Sequence, residues 1–249
     1  MTLADVLVRV VPGAPQELER LAVTVDLARR VHGRLNGVFV TQENDGKADW
    51  AHSLFDRAAR RSSLETTWRV VPMRDDAGLL FLARRSDLAV LPSIGITPVS
   101  ATPPLKQVPL QSGRPVLILP PPRTEMSIGN IVLVGWNESR ESARAIHDAM
   151  PILAEAERVF VLTVLKPEDP EPISDTALLE HLREQGVTAE LVRRHGEEPA
   201  DELASEARRT GADMIVIGLR RRVCSGELKL GDVSERFSRT GSIPVFCSH

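Results

Sequence analysis

Asp5-Val-Leu-Val-Arg-Val10 in the first half of the chain and Asn130-Ile-Val-Leu-Val-Gly135 in the second are the same kind of stretch, a short apolar run that leads into a helical pattern, and they begin 125 residues apart. Two further pairs keep nearly the same offset. Ser86-Asp-Leu-Ala-Val-Leu-Pro92 answers Ala212-Asp-Met-Ile-Val-Ile-Gly218, with Asp87 and Asp213 separated by 126 residues. Gly113-Arg-Pro-Val-Leu-Ile118 answers Gly241-Ser-Ile-Pro-Val-Phe246, with the glycines 128 apart. An offset that drifts so little over half a chain marks an internal repeat of one domain.

Between the copies lies Pro120-Pro-Pro-Arg-Thr-Glu-Met-Ser127, whose prolines make a stiff, extended linker. The expected domains are therefore 1–122 and 127–249, each near the common domain size and large enough to bury its own core. Within each half, apolar runs of four to eight residues alternate with amphipathic helical patterns, the sign of βαβ units around a buried parallel sheet. Leu18, Leu21, Ala22, Val25 and Ala28 share one helical face that Gly33 ends, and Ser139 caps a counterpart burying Ala143, Ile146, Met150 and Leu153. Pro199 opens another helix with Leu203, Ala204 and Ala207 on one face and Gly211 just past its end. The pattern predicts an α/β fold of two tandem doubly wound, five-stranded parallel sheets, Rossmann-like or flavodoxin-like. Ligands of such sheets bind outside the carboxyl ends of the strands, where strand order reverses.

Composition removes several function classes. Lys and Arg number 31 against 34 Asp and Glu, a net charge of −3, so no global field recruits nucleic acid or an acidic membrane. Tyr is absent and only 3 Trp and 6 Phe occur, which argues against a stacking platform for bases. The stretch Met1 to Val11 carries Asp5 and no leading basic cluster, and no apolar run reaches the roughly 18 residues needed to cross a bilayer, so the cytoplasm is the expected location. Cys224 and Cys247 form no CxxC and have no His at metal spacing, and are read as free thiols. Arg220, Arg221 and Arg222 would lower the pKa of Cys224, against the plainer reading of an ordinary loop thiol.

Enzymatic signatures are absent: no GxGxxG, no GxxxxGK[ST], no GxSxG and no HExxH occurs. Pro12–Gly13 and Trp136–Asn137 hold the places where a receiver domain would carry its acidic pair. His32, His52, His147, His181, His195 and His249 are scattered without ligand spacing, and surface or capping roles suit them better than catalysis.

The segment from Met214 reads Met-Ile-Val-Ile-Gly-Leu-Arg-Arg-Arg-Val-Cys-Ser-Gly-Glu-Leu-Lys-Leu-Gly-Asp-Val-Ser-Glu-Arg-Phe237, with Ile243-Pro-Val beyond it. Here the chain resembles the universal stress protein family, in which the fourth strand runs into G-x2-G-x9-G-[ST], a loop and helix start that cradle the phosphates of ATP. Gly218 and Gly231 stand at the first and third glycine positions, whereas Arg221 replaces the second and Asp232 replaces the Ser or Thr. Glycine admits a phosphate close to the backbone, where N–H groups of a helix start donate to it. Arg221 therefore brings a Cβ, and Asp232 a like charge that costs on the order of 1 kcal/mol or more beside a triphosphate. Arg220, Arg221, Arg222 and Lys229 supply cations around the same loop. By the same resemblance Asn137 takes the place of an Asp that helps hold adenine or ribose, and Trp136 would either wall that pocket or pack at a domain contact. In the first half Ser93-Ile-Gly-Ile-Thr-Pro-Val-Ser-Ala-Thr-Pro-Pro-Leu105 has no spaced glycines, and Pro103, Pro104 and Pro109 leave little room for a helix, so no phosphate site is expected there.

The resemblance implies a stress-response binding or regulatory protein without catalysis, whose halves pack as an intramolecular pseudo-dimer through Val116-Leu-Ile-Leu119 and Val245-Phe246. Asn137, Gly218, Arg221, Gly231, Asp232 and Ser234 would then line a weak adenine-nucleotide site in the second half, with a protein partner and further homodimerisation as open expectations. No cofactor is required. Two alternatives stand beside it: a nucleotide-dependent enzyme such as a slow ATPase, in which Asp232 would hold Mg²⁺, and a structural adaptor with no small-molecule ligand.

Overall fold

The computed structural model describes residues 2–14, 16–41, 46–72, 76–93, 108–121, 126–166, 174–224, 227–230, 233, 236–237 and 242–249, with only the backbone described for 76–77, 174, 221–224 and 227–230. The chain divides into two compact units, one of Thr2–Met126 with Ser238–Ser242 and one of Ser127–Phe237 with Ile243–His249 and Met1.

The first unit runs β1 (Asp5–Val10), α1 (Glu17–Arg30), β2 (Arg34–Thr41), α2 (Ala48–Ala59), β3 (Thr66–Pro72), α3 (Asp76–Arg85), β4 (Leu88–Pro92) and β5 (Val116–Leu119). The second runs β6 (Ile131–Trp136), α4 (Arg140–Leu153), β7 (Arg158–Leu165), α5 (Ser174–Glu184), β8 (Ala189–His195), α6 (Pro199–Thr210), β9 (Met214–Gly218), β10 (Arg221–Cys224), β11 (Glu227–Leu230) and β12 (Val245–Ser248). Strands lie side by side as β3-β2-β1-β4-β5 in the first unit and as β12-β9-β6-β7-β8 in the second. Every neighbouring pair in these runs is parallel. In repeat terms both orders are 3-2-1-4-5, the Rossmann arrangement, which reverses between the first and fourth strands.

The central strands are nearly continuous β-branched and leucine runs because helices cover both faces of a parallel sheet. Leu88, Ala89, Val90, Val132, Leu133, Val134, Ile215 and Val216 are all buried. The repeated aspartates have a shared structural task. Asp87 Oδ2 accepts the N–H of Asp5 at 3.0 Å, and Asp213 Oδ1 accepts those of Gly129 at 2.8 Å and Ile131 at 3.2 Å. Each carboxylate thus ties the start of its unit's fourth strand to the start of the first.

Two helix faces sit differently from the apolar reading. α1 buries Glu17, Arg20 and Thr24 along with Leu21, Val25 and Ala28, while Ala22 is exposed and Leu18 half-buried. α4 buries Ser142, Ala145, Asp148, Ala149 and Ile152 together with Ile146 and Leu153, leaving Ala143 exposed and Met150 half-buried. In both cases paired polar side chains share the inward face. Asp148, for example, accepts from Arg144 Nε at 2.9 Å and from Ser248 Oγ at 2.6 Å. Residues 108–111 form one helical turn in the proline-rich part of the first unit.

Candidate functional site

At the carboxyl ends of β6 and β9, where the second unit's strand order reverses, lies a cavity of about 430 Å³. Its floor comes from Gly135 and Ile217 on those strands and from Leu162 and Val164 on β7. Trp136 and Asn137 leave β6 along one side, Glu141 comes from the first turn of α4, and Pro199, Ala200 and Leu203 come from α6. Glu197, Glu198, Arg220 and Arg236 complete a charged rim.

The turn from β6 into α4 is built by side chains. Asn137 Oδ1 accepts the Ser139 hydroxyl at 2.6 Å and the Ser139 N–H at 3.3 Å. Ser139 in turn caps the helix by accepting the Ser142 N–H at 3.2 Å. The carbonyl oxygen of Asn137 is therefore committed to the turn, and its amide nitrogen is the end left for a ligand. Trp136 Nε1 is a buried donor with no partner among the described residues. Such a donor in a cavity wall has lost its water and gains from any acceptor placed there.

Gly218, expected to admit a phosphate, also has a packing reason. A Cβ on it would lie 2.5 Å from the Glu141 carbonyl carbon and from the Ser142 nitrogen, so the end of β9 meets the first turn of α4 with no room for a side chain. Beyond it, the stretch expected to cradle phosphate as a loop contains a two-stranded antiparallel sheet, β10 with β11, in which Arg221 pairs with Leu230. Arg221 is thus the first residue of a strand. Gly231, Asp232 and Ser234 lie outside the described residues, as do the side chains of Arg221 and Cys224.

Of the expected site residues, the cavity brings together Asn137 and Gly218 with Trp136. It adds Glu141, Glu197, Glu198, Leu203 and Arg236, which the motif did not reveal, and Arg220, one of the cations expected around the phosphate loop. Glu141, Glu197 and Glu198 had only position as a signal, each just past a strand end or at a helix start, whereas Leu203 lay on the apolar face expected of its helix. Arg236 pairs with Asp201. The Arg140 hydrogen bond holds the Glu141 carboxyl below the usual carboxylate range, opposed by desolvation and helped by Arg140 and Arg220 charge. Glu141 therefore presents a full negative charge to the cavity at neutral pH. Among the described residues the lining carries no histidine, cysteine or lysine.

The reversal-point cavity, the helix start beside it and the glycine between them coincide with a sequence match of residues 130–249 to the universal stress protein family. The second half belongs to that family. A universal stress protein from Archaeoglobus fulgidus aligns with 100% of this chain and 98% of its own at a TM-score of 0.76 and 14% identity. A putative universal stress protein from Pseudomonas aeruginosa covers 99% of this chain and 93% of its own, with a TM-score of 0.68 and 18% identity. The cytoplasmic domain of a prokaryotic cation chloride cotransporter covers 86% of this chain and 95% of its own at 0.51 and 14%. At these identities the structures show that both halves share the fold of universal stress proteins, and that the same fold serves proteins of a different role. No curated protein matches the chain.

Elsewhere, burial pushes the Cys247 thiol up to about 12, so it stays protonated in β12. His147 and His52 are exposed and stand beside Asp148 and Asp56. No described helix is long and apolar enough to cross a membrane.

Proposed function

We propose that the second half is a non-catalytic binding module of a stress-response protein, whose reversal-point cavity holds an adenine nucleotide weakly. The observation that carries this reading is the cavity itself, about 430 Å³ in volume and walled by Trp136, Asn137 and Leu203, within the range of small-ligand sites. Apolar Leu162, Val164 and Ile217 suit the faces of a base, while the Asn137 amide and the Trp136 N–H supply polar points that fix its orientation. The grip on phosphate is the weak part. Glu141, Glu197 and Glu198 share the rim with Arg220 and Arg236, and Arg236 is already engaged by Asp201. Each carboxylate within a few ångströms of a polyphosphate costs on the order of 1 kcal/mol or more. Binding should therefore not strengthen from AMP to ATP, unlike a site built around a triphosphate. The absence of a lysine, histidine or cysteine among the described lining residues favours binding over hydrolysis.

Calorimetric titration of the full chain with adenosine, AMP, ADP and ATP, with and without Mg²⁺, tests this reading. Saturable binding in the micromolar to millimolar range that Asn137→Ala weakens several-fold supports it. No heat at millimolar ligand, or turnover of ATP that Asn137→Ala abolishes, overturns it in favour of the adaptor or the enzyme.

A further inference from the structure

A second cavity, of about 210 Å³, lies in the first half, at the opposite end of its sheet from the strand ends that hold ligands in this fold. Three neighbouring strands line it with every second residue: Asp5 and Leu7 from β1, Arg34 and Asn36 from β2, Thr67 and Arg69 from β3. The parallel register sets Asp5 beside Arg34 and Asn36 beside Thr67, so these side chains share one face. Leu82 and Arg85 from the last turn of α3, and Ser86 just past its end, close the cavity.

Three arginines, Arg34, Arg69 and Arg85, line this cavity with a single carboxylate, Asp5, and that carboxylate is spoken for. Asp5 is held by Arg34 through both Nε and Nη2, the latter at 2.8 Å, and by Asn36 Nδ2 at 3.2 Å. The Arg34 hydrogen bond, the largest cause, pulls the Asp5 carboxyl below its ordinary range. The neutral groups are equally committed. Thr67 Oγ1 donates to Asn36 Oδ1 at 2.7 Å, and Ser86 Oγ donates to the Leu82 carbonyl at 2.9 Å. Asp87, the next carboxylate, accepts from the Asp5 N–H and pairs with Arg114 at 3.8 Å. Arg69 makes no hydrogen bond or ion pair among the described residues. Arg85 rests over the Phe81 ring at 5.5 Å, an interaction that leaves its N–H fork free.

The repeat supplies an internal control. By register, the second half carries Ile131, Phe160, Glu190 and Val192 where the first has Asp5, Asn36, Thr67 and Arg69. Its one arginine at this place, Arg158, pairs with Glu190 at 2.9 Å and covers the Phe160 ring at 4.6 Å. One copy of the domain thus neutralises this end of the sheet, and the other leaves two cations uncompensated around a cavity.

The geometry points to an oxyanion site in the first half, in which Arg69 and Arg85 grip a phosphate group. Guanidinium forks match phosphate oxygens bidentately. The volume lies below the roughly 300–1,000 Å³ of drug-sized sites and suits a single phosphate, either the free ion or the head of a small phosphomonoester.

The test is a titration of the isotope-labelled full chain at constant ionic strength, followed by amide chemical shifts. Inorganic phosphate is one arm, glycerol 3-phosphate the second and chloride the control. Saturable shifts confined to residues 34–37, 67–69 and 85–86, absent with chloride, are expected. Tighter phosphate identifies the free ion as the ligand, and tighter ester identifies the phosphomonoester. The double variant Arg69→Gln with Arg85→Gln should weaken binding at least ten-fold, and Arg69→Gln alone several-fold. Arg29→Gln, at an exposed arginine paired with Asp26 on α1, should change nothing. Shifts that fail to saturate, that chloride reproduces, or that survive the double variant overturn the proposal.

Discussion

The two halves part at the carboxyl end of their first strands. In the second, Gly135, Trp136 and Asn137 open onto a cavity. In the first, Glu17 Oε1 accepts the Val11 N–H at 2.8 Å, Arg20 pairs with Glu17 at 2.6 Å, and Arg20 Nη2 also donates to the Arg9 carbonyl. Arg9, Glu17 and Arg20 are 2%, 4% and 1% exposed, so the ligand end of this copy is closed by its own buried charges. Burial and the neighbouring Arg20 charge bring even the Arg9 guanidinium down to about 10. A duplicated fold can therefore keep its sheet and exchange its site, because the helices and strands are specified by different residues from those at the strand ends.

The largest effect should come from breaking the closed end. Glu17→Ala leaves two buried guanidinium groups facing each other and should cost about 3–5 kcal/mol. Glu141→Gln at the open end removes a half-buried carboxylate whose partner Arg140 is exposed, and should cost no more than about 1 kcal/mol. Urea unfolding of both variants measures the contrast. Equal costs would mean that the buried cluster is no closure at all.

Next comes the strand that walls the cavity. In the second half Gly218 touches backbone of α4, and backbone cannot swing aside, so Gly218→Ala should cost about 1–3 kcal/mol and weaken nucleotide binding with it. Pro92, which carries a Cβ and more, stands at the corresponding place in the first half and is buried there. A Gly218→Ala protein of unchanged stability would show that the two helix starts are equally tolerant, and the contrast between open and closed ends would lose one of its supports.

What was legible in the sequence follows the same division. The repeat offsets predicted both sheets, since Val116–Leu119 and Met214–Gly218 are apolar runs that only a buried strand accommodates. Asp87 and Asp213 were visible as a repeated pair, though their task of tying strand starts needed the hydrogen bonds. The closed end was invisible, because Glu17 and Arg20 look like solvent-facing residues until their mutual pairing lets them turn inward. The motif reading caught Asn137 and Gly218 but expected a loop where β10 and β11 pair, as strand pairing is not something glycine spacing alone reports. The basic cavity could not have been found at all, since Asp5, Arg34, Arg69 and Arg85 are dispersed over the first half and meet only through strand register.

A smaller contrast lies at the helix starts themselves. α4 begins with a side-chain cap, whereas α1 begins at Gln16 with no side-chain hydrogen bond. Ser139→Ala should therefore cost about 1 kcal/mol in thermal or urea unfolding. It should also loosen Asn137, whose carbonyl loses the 2.6 Å bond from the Ser139 hydroxyl, so nucleotide affinity falls alongside stability. Loss of stability with unchanged affinity would separate the cap from the site.

The smallest effect has the opposite sign. Gln16 has a φ of 55°, a left-handed conformation that costs an L-residue about 1–2 kcal/mol and a glycine almost nothing. Gln16→Gly removes that strain, and it removes no cap, because the Gln16 side chain makes none. Against this stands the extra freedom that glycine gives the unfolded chain, worth about 0.4–1 kcal/mol. The balance favours the folded state by roughly half a kcal/mol, which for a chain of this size raises the thermal midpoint by about 1–2 °C. Since Ser139 has a φ of −78°, the same change there relieves no strain and should lower the midpoint. Opposite shifts for Gln16→Gly and Ser139→Gly in one calorimetric series would show that the two copies start the same helix by different means, and shifts of the same sign would show that they do not.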